Sequence, residues 1–311
     1  MVVLHILLPI FAVIATGFMA VRTGYLDRNS VAPAGQIVIR IALPALIFLA
    51  LATTPATEAF DLRFLLVYGA ASLGVMGLCF GLARFALHMT QAEAAVVALG
   101  VSMANSGFLG FPIGQALLGP EAAIRIFTHC LIVENILILP LGLLILSATS
   151  ADGASISRAT LARDMLRNPL MLALIAGGAV SLLGLGVPPA AHSVLELLAR
   201  LSAPLALLVI GGMLASLPAS GRIGAVGLIV GGKLVLHPLA VGLGAALMPG
   251  LSSQMAAGGI LFAAMPMITI FPLLAARAGQ GQLAAFGLLV ATLGSFASLP
   301  LVIHLLGLAQ L

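Results

Sequence analysis

Charged side chains are scarce in this chain of 311 residues, of which Asp, Glu, Lys and Arg make up 7%. A soluble globular domain carries about 25% of such residues, so the composition excludes that class. Hydrophobic residues make up 62% of the chain. They form repeated runs of about 20 residues, long enough to cross the hydrocarbon of a bilayer. The sequence therefore predicts an all-α polytopic membrane protein.

The chain also lacks the motifs of several function classes. Its two cysteines, Cys79 and Cys130, lie inside apolar runs, which argues against a disulfide framework or a thiolate metal site. We find no HExxH, no GxSxG and no paired aspartates, so we expect no catalytic residues, no metal and no cofactor. The formal charge of +4 is not gathered into a basic run, and we expect no nucleic-acid partner.

Ten apolar spans can be drawn, and we number them predicted helices 1 to 10. A polar connection at 149–168 separates five spans in residues 1–148 from five in residues 169–311, and we expect it to be a solvated linker. The predicted spans cover about residues 2–21, 31–52, 62–84, 92–118, 122–148, 169–186, 190–217, 223–247, 253–276 and 283–308.

The two halves are related to each other. Sliding the chain against itself by 160 residues superposes four prolines without a gap, which favours a duplication. An odd number of helices in each half makes the second copy enter the membrane from the opposite face, so we predict two inverted five-helix repeats. The superposed pairs are Pro9 with Pro169, Pro44 with Pro204, Pro112 with Pro272, and Pro140 with Pro300.

Basic residues predict the orientation. When the ten spans alternate, eight arginines collect on the face of the 149–168 linker and three on the face of the termini. Cytoplasmic loops carry the excess of Lys and Arg. We therefore expect a multi-pass protein of the bacterial inner (plasma) membrane, with a cytoplasmic linker and both termini periplasmic.

Predicted helix 4 contains a stretch, residues 104–114, that combines polar residues, glycines and a proline inside an apolar run. A proline removes an amide donor and clashes with the carbonyl four residues back, so this helix should break. The offset of 160 pairs the stretch with residues 265–272 of helix 9. Two broken helices in corresponding positions of inverted repeats predict a midplane site where half-helix N-termini bind an anion.

The residues of these two stretches are the predicted substrate contacts. The alternative interpretation is that the prolines kink the helices only for packing. The predicted substrate-binding residues are Asn105, Ser106, Gly107, Phe108, Gly110, Pro112, Pro266, Met267 and Thr269.

Ionisable residues at membrane depth form a second group. Glu134, beside Asn135, lies near the middle of helix 5, and Lys233 lies in helix 8, four residues before His237. Burying an unpaired charge in a bilayer costs at least about 2.5–3.5 kcal/mol. We interpret these residues either as a structural ion pair of Glu134 with Lys233 or as groups that couple transport to a proton or sodium gradient. Arg40 could contact a substrate anion, but helix capping or headgroup access is favoured.

The stretch Asn105-Ser106-Gly107-Phe108-Leu109-Gly110-Phe111-Pro112-Ile113, the Ala-Ala-Met-Pro stretch ending at Pro266, and the ten-helix plan resemble the auxin efflux carrier family of bacterial permeases. The resemblance covers essentially the whole chain. It implies a scaffold of helices 1, 2, 6 and 7, a transport core of helices 3–5 and 8–10, crossing helices 4 and 9, elevator-type movement and a homodimer. Bacterial members are associated with malate, malonate and other organic acids.

We therefore predict a secondary active transporter of small organic anions, mono- or dicarboxylates, working by alternating access. An anion channel or uniporter would use the same helix dipoles and remains the alternative. An intramembrane enzyme is a more distant alternative, because its motifs are missing.

Overall fold

The computed structural model describes residues 2–53, 60–147, 163, 167–217 and 223–308, with the side chains of residues 2–6 and 147 left aside. Within these ranges the chain forms helices and no strand. The predicted linker at 149–168 falls almost entirely outside the described residues. In chain order the helices are α1 Val2–Arg22, α2 Arg28–Ala52, α3 Leu62–Ala86, α4 Gln91–Ser102, α5 Phe111–Leu118, α6 Pro120–Leu146, α7 Pro169–Leu182, α8 Pro189–Leu214, α9 Ile223–Leu247, α10 Ser253–Ala263, α11 Phe271–Ala276 and α12 Gly281–Leu305.

Seven helical segments of the described residues are long and apolar enough to cross a membrane. They are α2, α3, the interrupted segment Gln91–Leu118 that holds α4 and α5, α6, α8, α9 and α12. Three shorter apolar helices, in α1, α7 and α10, lie where other spans were predicted. The prediction of a polytopic, all-α membrane protein is therefore confirmed, whereas the ten-helix inverted repeat stays a prediction.

Several helices widen by one residue into a π-turn, and proline explains most of these turns. Four of the five π-turns in the described residues end two residues before a proline, at Pro44, Pro112, Pro140 and Pro238. Proline has no N–H to donate, and its ring displaces the carbonyl four residues earlier. The turn before it therefore opens, as π-bulges do, often at functional sites. The four turns are Val38–Ala42, Ser106–Gly110, Glu134–Ile138 and Gly232–Leu236.

The helices divide into two compact units. The first comprises residues 1–61, 107–129 and 162–216, and in it α1 packs on α8 while α2 packs on α7 and α8. Glycines allow the close approach of α1 and α8. A Cβ on Gly17 would overlap the carbonyl oxygen of Leu208, and one on Gly211 would overlap the carbonyl oxygen of Ile14.

The second unit comprises residues 62–106, 130–161 and 217–311. In it α3 packs against α4 and α9, while α9 also packs against α10 and α12. Helix α4 is buried on every side from Ala94 to Ser102. Its N-terminus is fixed by a capping box, in which Thr90 Oγ1 accepts a hydrogen bond from Glu93 N and Glu93 accepts one from Thr90 N.

Candidate functional site

The first helix break follows the buried end of α4. Helical geometry stops at Ser102, and residues Met103–Asn105 are not helical before the π-turn Ser106–Gly110 leads into α5. Asn105 is 3% exposed, so this polar backbone lies inside the protein and not against lipid. Such a break is tolerated at membrane depth only where protein or a cavity satisfies the freed backbone groups.

The second helix break provides a hydrogen-bond partner for one backbone group of the first break. Helix α10 ends at Ala263, and the chain resumes a helix only at Phe271. The backbone N–H of Asn105 donates to the carbonyl oxygen of Pro266 at 2.8 Å. The two interrupted segments therefore meet through a main-chain hydrogen bond inside the second unit. Around it Met265 and Met267 are fully buried.

A buried carboxyl group lies next to the first break. Glu134, 2% exposed, begins the π-turn that precedes Pro140. Its Oε1 accepts a hydrogen bond from Ser106 Oγ at 2.6 Å and another from the hydroxyl of Tyr68 at 3.2 Å. A charged acceptor with two hydroxyl donors is much better stabilised than an unpaired one. Since Ser106 follows Asn105 directly, this carboxyl group is bonded to the broken segment itself.

A buried lysine lies in the same unit. The ammonium of Lys233 donates to Nδ1 of His237 at 2.7 Å, and Nε2 of His237 lies 2.9 Å from Ser72 Oγ. An ammonium group can only donate. Nδ1 must therefore accept, and we assign His237 as the neutral tautomer whose Nε2–H donates to Ser72.

The structural alternative, a direct ion pair of Glu134 with Lys233, is not seen within 4.0 Å. In the described part of the chain the one ion pair within 4.0 Å joins Arg200 and Glu196. Lys233 bonds instead to His237, which lies four residues later on the same helix face.

An aromatic contact connects the two buried charges. The ring of Tyr68 lies 5.6 Å from that of His237, centroid to centroid, and its hydroxyl reaches Glu134. We call Ser72, His237, Lys233, Tyr68, Glu134 and Ser106 the buried polar cluster. Both charges are held in a fixed arrangement by neutral polar groups.

The remaining predicted residues have different surroundings. Asn135 donates from its side chain to the carbonyl of Leu131 at 3.0 Å, one turn back in its own helix. Thr269 is 6% exposed, and its hydroxyl has no hydrogen-bond partner in the described structure. A buried hydroxyl without a partner is unfavourable by about 1–3 kcal/mol, and a missing ligand is one explanation.

Four predicted residues belong to the first unit. A Cβ on Gly107 would lie 3.1 Å from Leu43 Cδ1 and 3.6 Å from the ring of Phe127, so this glycine allows close packing there. Phe108 is buried at 6% exposure, and Gly110 and Pro112 are buried as well. Of the predicted contacts, the structure brings Asn105 and Pro266 into direct contact.

Sequence reasoning missed Tyr68 and Ser72. These residues lie four apart in α3, so they share a helix face, and both are 0% exposed. Tyr68 is one of only two tyrosines in the chain. The sequence did contain a signal for them, because two polar residues four apart lie on one face of an otherwise apolar helix. In the described residues, no group of three or more His, Cys, Asp or Glu could hold a metal ion.

Comparison with known proteins shows a matching family and related transporters. A family model described as "Membrane transport protein" matches residues 2–303. A "Putative malonate transporter" of Rhizobium meliloti is 26% identical over 305 residues, which is 97% of this chain and 95% of that protein. "Uncharacterized transporter YfdV" of Escherichia coli K12 is 28% identical over 217 residues, 68% of each chain.

Proposed function

This chain belongs to the membrane transport protein family, the auxin efflux carrier family, and we propose that it is a secondary active transporter of small organic anions. Membership makes the protein a membrane transporter. The substrate, the mechanism and the coupling ion are the parts that we propose.

The observation that carries the proposal is the hydrogen bond between the two interrupted helices, from Asn105 to Pro266. Helix breaks expose main-chain donors that bind a carboxylate without a buried cation of their own. Within the second unit we assign Asn105, Ser106, Pro266, Met267 and Thr269 to the substrate. The unsatisfied hydroxyl of Thr269 supports this assignment. Contacts from Gly107, Phe108, Gly110 and Pro112 stay predictions.

The substrate class follows from charge and from the relatives. The relative from Rhizobium meliloti is named for malonate, and broken-helix donors are suited to carboxylates of that size. We propose mono- or dicarboxylates such as malonate and malate.

Coupling is proposed to run through the buried polar cluster. Glu134 can exchange a proton, and it is bonded to Ser106, the residue next to Asn105. Protonation of this carboxyl group would remove its charge and add one O–H donor, and we propose that this weakens the hydrogen bond that holds the broken segment. A proton is therefore our proposed coupling ion, with sodium as the alternative.

The division of the chain into two units supports elevator-type alternating access. Predicted helices 1, 2, 6 and 7 fall in the first unit, and the two helix breaks meet in the second. We propose that the first unit contains the static scaffold and the second the moving core. We also propose that the protein consists of two inverted five-helix repeats and forms a homodimer. Its proposed location is the bacterial inner membrane, with both termini in the periplasm.

Substrate counterflow tests this function. Proteoliposomes loaded with unlabelled malonate or malate should take up the labelled acid transiently above equilibrium, because a carrier exchanges one bound substrate for another. An anion channel would give labelled flux without this overshoot. Absence of counterflow for a panel of mono- and dicarboxylates would contradict the proposal.

A further inference from the structure

An apolar groove runs along the first unit between α2, α7 and α8. It consists of two cavities of about 470 Å³ each, which share Phe48 and Leu195 as walls. One cavity ends near the α7–α8 turn at Leu185, and the other ends at Arg40 and Pro169. Its walls are almost entirely aliphatic. The α7 wall from Pro169 to Val180 is about 16 Å long at 1.5 Å per residue, which accommodates most of one acyl chain.

Arg40 is the charged group of this groove. It lies within the π-turn Val38–Ala42, near the middle of the 25-residue helix α2, and it is exposed. In the described part of the chain its guanidinium makes no hydrogen bond and no ion pair. A cation on a membrane-spanning helix is unfavourable without an anionic partner or access to headgroups.

Among the described residues, the neighbouring charges leave this end of the groove positive. Arg167, which is also exposed, precedes the groove-lining Pro169 by two residues. Glu196 of α8 does not neutralise either arginine, because it pairs with Arg200 at 2.7 Å. The described acid nearest the groove in sequence is therefore already paired with another arginine.

We propose that this groove binds an anionic phospholipid, with the phosphate on Arg40 and one acyl chain along α7 toward Leu185. The guanidinium fork matches a phosphate in geometry and charge, and the aliphatic walls match the chain. Basic pockets between membrane helices bind such headgroups on the cytoplasmic side, the side on which the sequence predicts the connection preceding Pro169. A second copy of the chain is the competing occupant, and the oligomeric mass of the groove variants distinguishes it from a lipid.

The test uses the purified full-length protein in neutral detergent, with native mass spectrometry to count bound lipid. Phosphatidylglycerol should bind about tenfold more tightly than phosphatidylcholine with the same chains, because both lipids carry a phosphate but choline adds a quaternary ammonium whose positive charge is repelled by Arg40. Arg40→Gln should abolish this preference. Arg22→Gln, which removes an exposed arginine at the end of α1 in the same unit, should retain it. Ala176→Phe, which narrows the groove without touching Arg40, should weaken both lipids equally.

Three results would overturn the proposal. The first is an unchanged preference for phosphatidylglycerol in Arg40→Gln. The second is displacement of the lipid by glycerol 3-phosphate at an equal concentration, which would make the site one for a free anion. The third is a change from dimeric to monomeric mass in Arg40→Gln and Ala176→Phe without any change in lipid binding, which would assign the groove to a second copy of the chain.

Discussion

The hydroxyl of Ser106 donates to the carboxyl group of Glu134 at 2.6 Å, across 28 residues of sequence. Ser106 is also the residue after Asn105, whose N–H is bonded to Pro266. The residue that joins the two broken helices, Asn105, is therefore adjacent in sequence to the residue whose hydroxyl contacts a buried acid. We therefore expect the protonation of Glu134 to affect the hydrogen bonding of the segment that we assign to the substrate.

Ser106→Ala tests this relationship directly. Removing one donor from a buried carboxylate should lower stability by about 1–3 kcal/mol, and it should reduce transport because the broken segment loses its connection to Glu134. Ser102→Ala is the matched control, since Ser102 is equally buried but its hydroxyl donates within its own helix, to the carbonyls of Ala98 and Leu99. Denaturation in mixed micelles and uptake in proteoliposomes measure the two effects. Equal transport by both variants would contradict the proposed connection.

Glu134→Gln tests coupling. Glutamine preserves the size of the side chain and can still accept from Ser106, but it can no longer exchange a proton. We expect counterflow to persist and accumulation driven by a proton gradient to be lost. Glu121→Gln, at the exposed start of α6, should behave as wild type. An unchanged dependence on the proton gradient in Glu134→Gln would support a purely structural role for this acid.

Much of this site could be predicted from the sequence, because prolines and periodicity act locally. The proline at 112 and the offset of 160 predicted the two breaks and paired Asn105 with Met265, one residue from the observed partner Pro266. The Lys233–His237 contact follows from four-residue spacing on one helix face.

The remainder depends on how different helices are placed against each other, which no local pattern specifies. Tyr68 reaches Glu134 from α3 only because α3 and α6 pack at a particular rotation. The π-turns also shift every later side chain around its helix axis. A regular helix drawn from the sequence has no such shift.

Lys233→Met should be strongly destabilising. It leaves the negative charge of Glu134 without a buried cation in its unit, and breaking a buried charge arrangement on one side costs about 3–5 kcal/mol. The double variant Lys233→Met with Glu134→Gln should lose less than the sum of the single variants, since no uncompensated charge remains. Unfolding of all four proteins in the same micelles forms the double-mutant cycle. Strictly additive losses would show that the two charges do not interact.

Asn105→Ala tests the substrate contact. The backbone hydrogen bond to Pro266 does not involve the side chain, so the meeting of the two breaks should survive while affinity for the carboxylate falls at least about tenfold, the effect of one lost contact to a charged group. Asn135→Ala removes an amide that donates to its own helix, and its affinity should stay close to wild type. Wild-type affinity in Asn105→Ala would remove this residue from the site.

Thr269→Val separates binding from stability most cleanly. The buried hydroxyl of Thr269 has no partner in the described structure, so replacing it with a methyl group should leave stability unchanged or slightly raised, because no hydrogen bond is lost. The same substitution at Thr292, whose hydroxyl donates to the carbonyl of Leu288 at 2.7 Å, should have little effect on transport. If Thr269 contacts substrate, its variant should raise the KM of uptake without lowering the unfolding temperature. A destabilised Thr269→Val with unchanged KM would instead assign the hydroxyl a structural role, and the second break would then offer the substrate only its backbone.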